Sequence, residues 1–132
     1  RADLSNARIA ADMTKASLRQ ANLSGADIGA DMRNQSMGLM RGILRSADLE
    51  GADLSGANLS RASFEFASLR DAKLTGANLM SAELAGADLT GADVADADFT
   101  GADVTSAKLR QLAGVETSTL KAAQNLSRAI RE

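Results

Sequence analysis

The chain has no cysteine, histidine, tyrosine or tryptophan, and only three phenylalanines among 132 residues. Without cysteine there is no disulfide framework and no thiolate metal site, although that leaves the redox compartment open. Losing histidine as well removes the commonest general base and most metal-ligand sets, so only carboxylates, lysine, serine and threonine remain for chemistry. The shortage of rings excludes a core built on large aromatic side chains; burial has to come from many small and medium residues in thin layers. No apolar run approaches the roughly 18 residues of a membrane span, so a soluble chain without a transmembrane segment is expected, cytoplasmic or periplasmic. Position 1 is Arg rather than Met, which reads as a trimmed or processed start.

What is present is a beat of five. Every fifth residue from Leu49 to Leu109 is Leu, Phe or Val, and two places before each stands Ala, through thirteen uninterrupted units. Helices repeat at 3.6 and strands at 2, so a period of five implies an organisation larger than either. A chain that returns to the same lateral position in successive coils, about 4.8 Å apart, satisfies it. Each coil then needs one medium side chain inside every wall and one very small one where the wall turns, which Leu and Ala supply. Gly recurs just before the Ala, at Gly51, Gly56, Gly76, Gly86, Gly91 and Gly101, where a corner calls for an unusual backbone conformation.

Written out as Ala47-Asp48-Leu49, Ala52-Asp53-Leu54, Ala57-Asn58-Leu59 and onward to Ala107-Lys108-Leu109, the pattern A-(D/N)-L-x-x resembles the pentapeptide repeat family. The resemblance implies an all-β fold, a right-handed quadrilateral parallel β-helix with four pentapeptides per coil of about 20 residues. Leu49, Leu69 and Leu89 would then stack, as would Leu54, Leu74 and Val94, Leu59, Leu79 and Phe99, and Phe64, Leu84 and Val104. Asn58, Asn78 and Asp98 would form an outward file able to bond along the stack.

The β-helix is expected over residues 1–111, regular at 47–109 and irregular over 1–46. Central residues there read as Leu4, Ile9, Met13, Leu18, Leu23, Ile28, Met32 and Met37, with sides shortened to four residues at Ile9–Met13 and Ile28–Met32 and a bulge at 38–43 before Leu44. Residues 112–132 are expected to form a short α-helical cap, since Leu120, Ala123, Leu126 and Ile130 follow helical spacing after Thr117 or Ser118 as N-cap. That stripe reads either as a cap on an open solenoid end or as a homodimerisation surface, the latter because some proteins of the family pair through their C-terminal segments.

Charge divides the chain. Residues 47–103 hold eleven acids against three bases, a net of −8, while each end is about +3. Asp88, Asp93, Asp98 and Asp103 would face outward from four sides of the square, attracting a positive partner and disfavouring direct nucleic-acid binding. With Leu39, Met40 and Arg41 of the bulge they are the candidate partner-binding residues. No catalytic, cofactor or metal residues are expected; Asp93, Asp96 and Asp98 read as solvated charges. These features point to a non-enzymatic structural or protein-interaction module of a bacterial pentapeptide repeat protein, its protein partner unspecified. The alternative, carried by resemblance and acidity, is a DNA mimic that binds DNA gyrase or topoisomerase IV. Five coils make a rod of only roughly 25 Å, short for such a mimic.

Overall fold

The structure is a computed structural model that describes residues 2–30 and 41–131. Its chain winds as a four-sided parallel solenoid. Four files of paired backbone run along it: Asp3, Asn22, Asp53, Lys73, Asp93 and Ala113 on face one; Arg8, Asp27, Asn58, Asn78 and Asp98 on face two; Asp12, Ile43, Ser63, Glu83, Asp103 and Gln124 on face three; Ser17, Asp48, Ser68, Asp88, Lys108 and Ile130 on face four. One ladder step shows the mechanism. Leu54 N–H donates to Lys73 O at 2.7 Å, and Lys73 N–H donates back to Ala52 O at 2.9 Å. Between faces the chain closes a tight turn, as where Ala57 N–H donates to Leu54 O at 3.1 Å.

The core follows the five-residue beat. Every central Leu, Phe or Val from Leu44 to Val104 is fully buried, and the Ala two places before each central residue, from Ala47 to Ala107, is at most 1% exposed. The expected 20-residue stacking therefore holds throughout the regular part. Apolar side chains fill the square, and each central residue contributes roughly 1.5–3 kcal/mol by leaving water.

Each regular corner places its second residue in the left-handed region, as a turn of type II demands at its third position. Glycine takes that role at Gly51, Gly56, Gly76, Gly86, Gly91 and Gly101, but twelve non-glycine residues among those described adopt a positive φ too, including Arg61, Phe66, Ser81 and Asp96. Two glycines separate the causes. A Cβ on Gly56 (φ 66) would meet nothing within 4 Å, whereas one on Gly114 (φ 76) would lie 2.6 Å from Ala95. Gly56→Ala should thus cost only the backbone strain, about 1–2 kcal/mol, and Gly114→Ala clearly more. Urea midpoints of the two variants test this; equal losses would contradict it.

Two expectations are corrected. Asp27 pairs with Asn58 and Ile43 with Ser63, and Asn58 and Ser63 belong to consecutive sides. Ile28 and Leu44 therefore occupy consecutive sides as well, sixteen residues apart instead of five, and the coil closes without sides centred on Met32 and Met37. Those two residues, with Leu39 and Met40, lie outside the described residues. The irregularity does recur at one corner, one residue shorter than regular in the first coil (Ile9 to Met13) and eleven residues longer than regular in the second (Ile28 to Leu44). The ends of the long connection are pinned: Gly42 N–H donates to Ile28 O at 2.8 Å, and Ala30 N–H to Ser60 O at 3.0 Å. A Cβ on Gly42 would fall on Ile28 Cγ2. Gly is thus required where the repeat elsewhere has Ala.

The second correction concerns the C-terminus. Instead of an α-helix there are three 3-10 turns, at Val115–Thr117, Leu120–Ala122 and Leu126–Arg128, none with a side-chain cap. The segment continues the solenoid as a looser sixth coil, pairing through Ala113, Gln124 and Ile130. The top of the fifth coil offers unpaired donors and acceptors, and strand-like pairing satisfies them where a helix would not. Val104 N–H donates to Gln124 O and Leu109 N–H to Ile130 O, while Thr119 Oγ1 accepts from Phe99 N–H at 2.7 Å. A lone helix of this length is marginal in water. Of the expected stripe, Leu120 is buried, Ala123 and Leu126 are half-buried, and Ile130 is exposed.

Candidate interaction surface

The outward wall is where function has to be sought, because the interior is filled. The residue before each central position, commonly Asp or Asn, has a structural task there. Asp53 Oδ1 accepts from Ser55 N–H at 3.0 Å and from the Ser55 hydroxyl at 2.6 Å. The same pair of bonds recurs from Asn22 to Ser24, Asn58 to Ser60, Asp88 to Thr90, Asp98 to Thr100 and Asp103 to Thr105. Each carboxylate or amide clips the start of the next corner. The sequence signal for this was D/N-x-S/T, which lies in plain view inside the repeat.

Those bonds favour the ionised form. Asp3, Asp12, Asp53, Asp98 and Asp103 are held below the ordinary carboxylate range chiefly by the hydroxyls of Ser5, Thr14, Ser55, Thr100 and Thr105. Asp48 is lowered mainly by the Glu50 N–H. At Asp88 burial pushes upward, and Thr90 together with Arg70 outweighs it.

The structure does not gather Asp88, Asp93, Asp98 and Asp103. They stand on faces four, one, two and three in turn. Nor is the barrel evenly acidic. Face one with its following corner carries Asp3, Asp53, Asp93, Asp96 and Glu116 against Lys73, five acids to one base. Face four alternates instead: Arg19 bonds both Asp48 and Glu50 at 3.1 Å, and Arg70 bonds Asp88 at 3.1 Å. In the Asn58, Asn78, Asp98 file, the Asn58 amide donates to Asp27 Oδ1 at 3.0 Å. Among the described residues no three acidic side chains converge as a metal site would require.

Face three is different. At its two edges, in neighbouring coils, stand Met80 (42% exposed) and Phe66 (62% exposed), two of the three large apolar side chains left exposed among the described residues. Between them Arg41 Nη1 reaches Glu83 at 2.9 Å while also donating to Arg61 O at 2.9 Å, and Arg45 pairs with Glu65. Of the partner-binding candidates read from the sequence that lie among the described residues, only Arg41 and Asp103 fall on this face. Phe66 and Met80 were overlooked, although the beat itself places both outward: each follows a central residue, by two places and by one.

A four-sided parallel solenoid with one Leu, Phe or Val and one Ala inside each five-residue side defines a class of repeat protein. A family model described as pentapeptide repeats matches residues 1–34, 43–79 and 77–111 in 8 copies, and the chain belongs to that family. No match is found among curated proteins. Among solved structures it is similar to HetL, a pentapeptide repeat protein involved in heterocyst differentiation regulation in the cyanobacterium Nostoc sp. strain PCC 7120, at 32% identity and a TM-score of 0.72 over 98% of this chain. It also resembles a trypsin-treated variant of QnrB1, a plasmid-mediated fluoroquinolone resistance protein, at 23% identity and a TM-score of 0.69 over 92% of this chain. A third similar structure is a pentapeptide repeat protein of the Arabidopsis thaliana thylakoid lumen, at 25% identity and a TM-score of 0.57 over 76% of this chain, covering 66% of that protein. The chain spans 65% of HetL and 59% of QnrB1.

Proposed function

We propose that this chain is a non-enzymatic protein-interaction module, wound right-handed as its family resemblance implies, with residues 1–111 as the β-helix and 112–132 closing it. The observation that carries this is the division of labour in the wall. Inside, every central position of the regular coils is committed to packing; outside, most acids are committed to corners or ion pairs. Among the described residues face three alone combines two exposed apolar side chains with the exit of a long insertion. A partner reads that outer surface. Arg41, at the base of the insertion, belongs to it, and Leu39 and Met40 precede Arg41 directly. Burial of Leu109 beneath the sixth coil, and of Leu120 within it, supports a capping role for the C-terminal segment.

The arrangement allows a clean excision. Removing residues 31–41 would leave Ile28-Gly29-Ala30-Gly42-Ile43-Leu44, a side of regular length. The excised protein should keep its circular dichroism spectrum and cooperative melting, yet lose a partner captured by the immobilised intact chain. Identical captured proteins from both forms would sink the proposal, as would capture of none.

The topoisomerase reading draws on the acidic face one. It requires dose-dependent inhibition of gyrase supercoiling that Asp53→Asn, Asp93→Asn and Asp96→Asn together abolish. An acidic excess concentrated on face one, with the acids of faces three and four largely paired to arginine, is a poor copy of a duplex, which is charged along both strands, so the interaction-module reading is preferred.

A further inference from the structure

We propose that face three is a homotypic docking face, through which two copies of this chain associate side by side; the proposal rests on the reading of the chain as an interaction module. It starts from Phe66. The other two phenylalanines, Phe64 and Phe99, are fully buried, whereas Phe66 is 62% exposed and sits at a corner with φ 61. A left-handed backbone is costly for a bulky side chain, and an exposed ring gains little from burial. Beyond one contact with the next coil, neither property helps the monomer. The ring lies against Gly86 of the next coil, since a Cβ there would come 2.5 Å from Phe66 Cδ1. Glycine would suit position 66 better, so the aromatic side chain has its use outside the isolated fold.

A second copy is the occupant that charge and symmetry favour. The ion pairs Arg41–Glu83 and Arg45–Glu65 leave the middle of the face neutral, so two copies approach there without the repulsion that face one would impose. Phe66 and Met80 stand at opposite edges in adjacent coils. A two-fold axis lying in the face, perpendicular to the line between them, carries each Phe66 onto the partner's Met80. The contact is then made twice, as an isologous dimer requires, and sulfur against an aromatic ring is a favourable pairing. The patch is two coils deep, about 10 Å, and one side wide, so it buries far less than the roughly 1,200 Å² at which standard interfaces begin and belongs with weak, transient contacts. Association should accordingly be reversible and concentration-dependent.

Sedimentation velocity of the full chain from low micromolar to near-millimolar concentration is the test. The expected result is a monomer–dimer equilibrium that Phe66→Gly and Met80→Ser each weaken by about tenfold or more, and that Ile130→Ser leaves unchanged. Phe66→Gly should also melt no lower than the parent chain at low concentration, which excludes misfolding as the reason. A chain that stays monomeric throughout overturns the proposal, and so does a dimer that Phe66→Gly leaves intact or Ile130→Ser abolishes. A monomer that nonetheless captures a foreign protein through the insertion would refute only the homotypic contact and leave the interaction module standing.

Discussion

Leu74→Asp should abolish folding, and a single spectrum will show it. Leu74 is fully buried, stacked between Leu54 and Val94 with the other three walls closed around it. A carboxylate there has no cation within the square, since among the described residues the buried side chains of its own coil and the two adjacent ones are Ala, Leu, Val and Phe, with Ser63 the one polar exception. The effective cost of an uncompensated buried charge is several kcal/mol, and the lost packing of the leucine adds about 2–5 kcal/mol. Together these match the whole stability of an ordinary domain, about 5–15 kcal/mol. Leu74→Ala, with the packing loss alone, should stay folded with a lowered urea midpoint. An Asp variant that retains the parent spectrum would mean that the central position does not point inward.

Acid should unfold the protein through its corners. Asp3, Asp12, Asp48, Asp53, Asp88, Asp98 and Asp103 all titrate lower in the folded chain than in the unfolded one, where the value is about 3.9. In that interval the unfolded state binds more protons, so stability rises with pH. The contribution is fully present above the unfolded value and is lost as pH falls through the depressed folded values. Seven sites acting together should lower the urea midpoint steeply between about pH 5 and pH 2. Asn performs the same acceptor role at Asn22 and Asn58 without titrating. Replacing these aspartates by asparagine should therefore flatten the profile while preserving the fold; a parent midpoint that is constant from neutral pH into the acid range would contradict the corner account.

The beat made the core legible because each inward position faces the same narrow square, so Leu and Ala recur with only Phe and Val as variants from Ala47 to Leu109. Where that demand relaxes, the sequence misleads. Met32 and Met37 stand four and nine residues after Ile28 and imitate two further sides, yet Leu44 takes the next side. In the sixth coil the residues that pack on the core are Leu112, Val115, Leu120, Ala123, Leu126 and Ala129, mostly three residues apart, so no beat of five announces them. The spacing of Leu120, Ala123 and Leu126 looked helical only because pairing with the coil beneath is invisible in a local pattern. Phe66 was missed for a different reason: irregularity drew attention to the methionines, while an exposed ring inside a perfectly regular unit did not.

The long corner also sets the order in which the molecule assembles. Contacts from Ile43–Ser63 to Asp93–Ala113 join residues twenty apart, but every pairing that crosses the insertion, Asp12–Ile43, Ser17–Asp48, Asn22–Asp53 and Asp27–Asn58, spans thirty-one, while Asp3–Asn22 and Arg8–Asp27 in the first coil span nineteen. In a chain stabilised by nearest-neighbour layers, growth proceeds from wherever adjacent coils close most readily. Longer closures carry a larger entropic penalty before any contact forms. The regular coils are thus the nucleus, and the first coil, whose Leu4, Ile9, Met13 and Leu18 are only half-buried, zips on last and frays first. Hydrogen exchange should show this as a gradient of amide protection along the rod, weakest before the insertion.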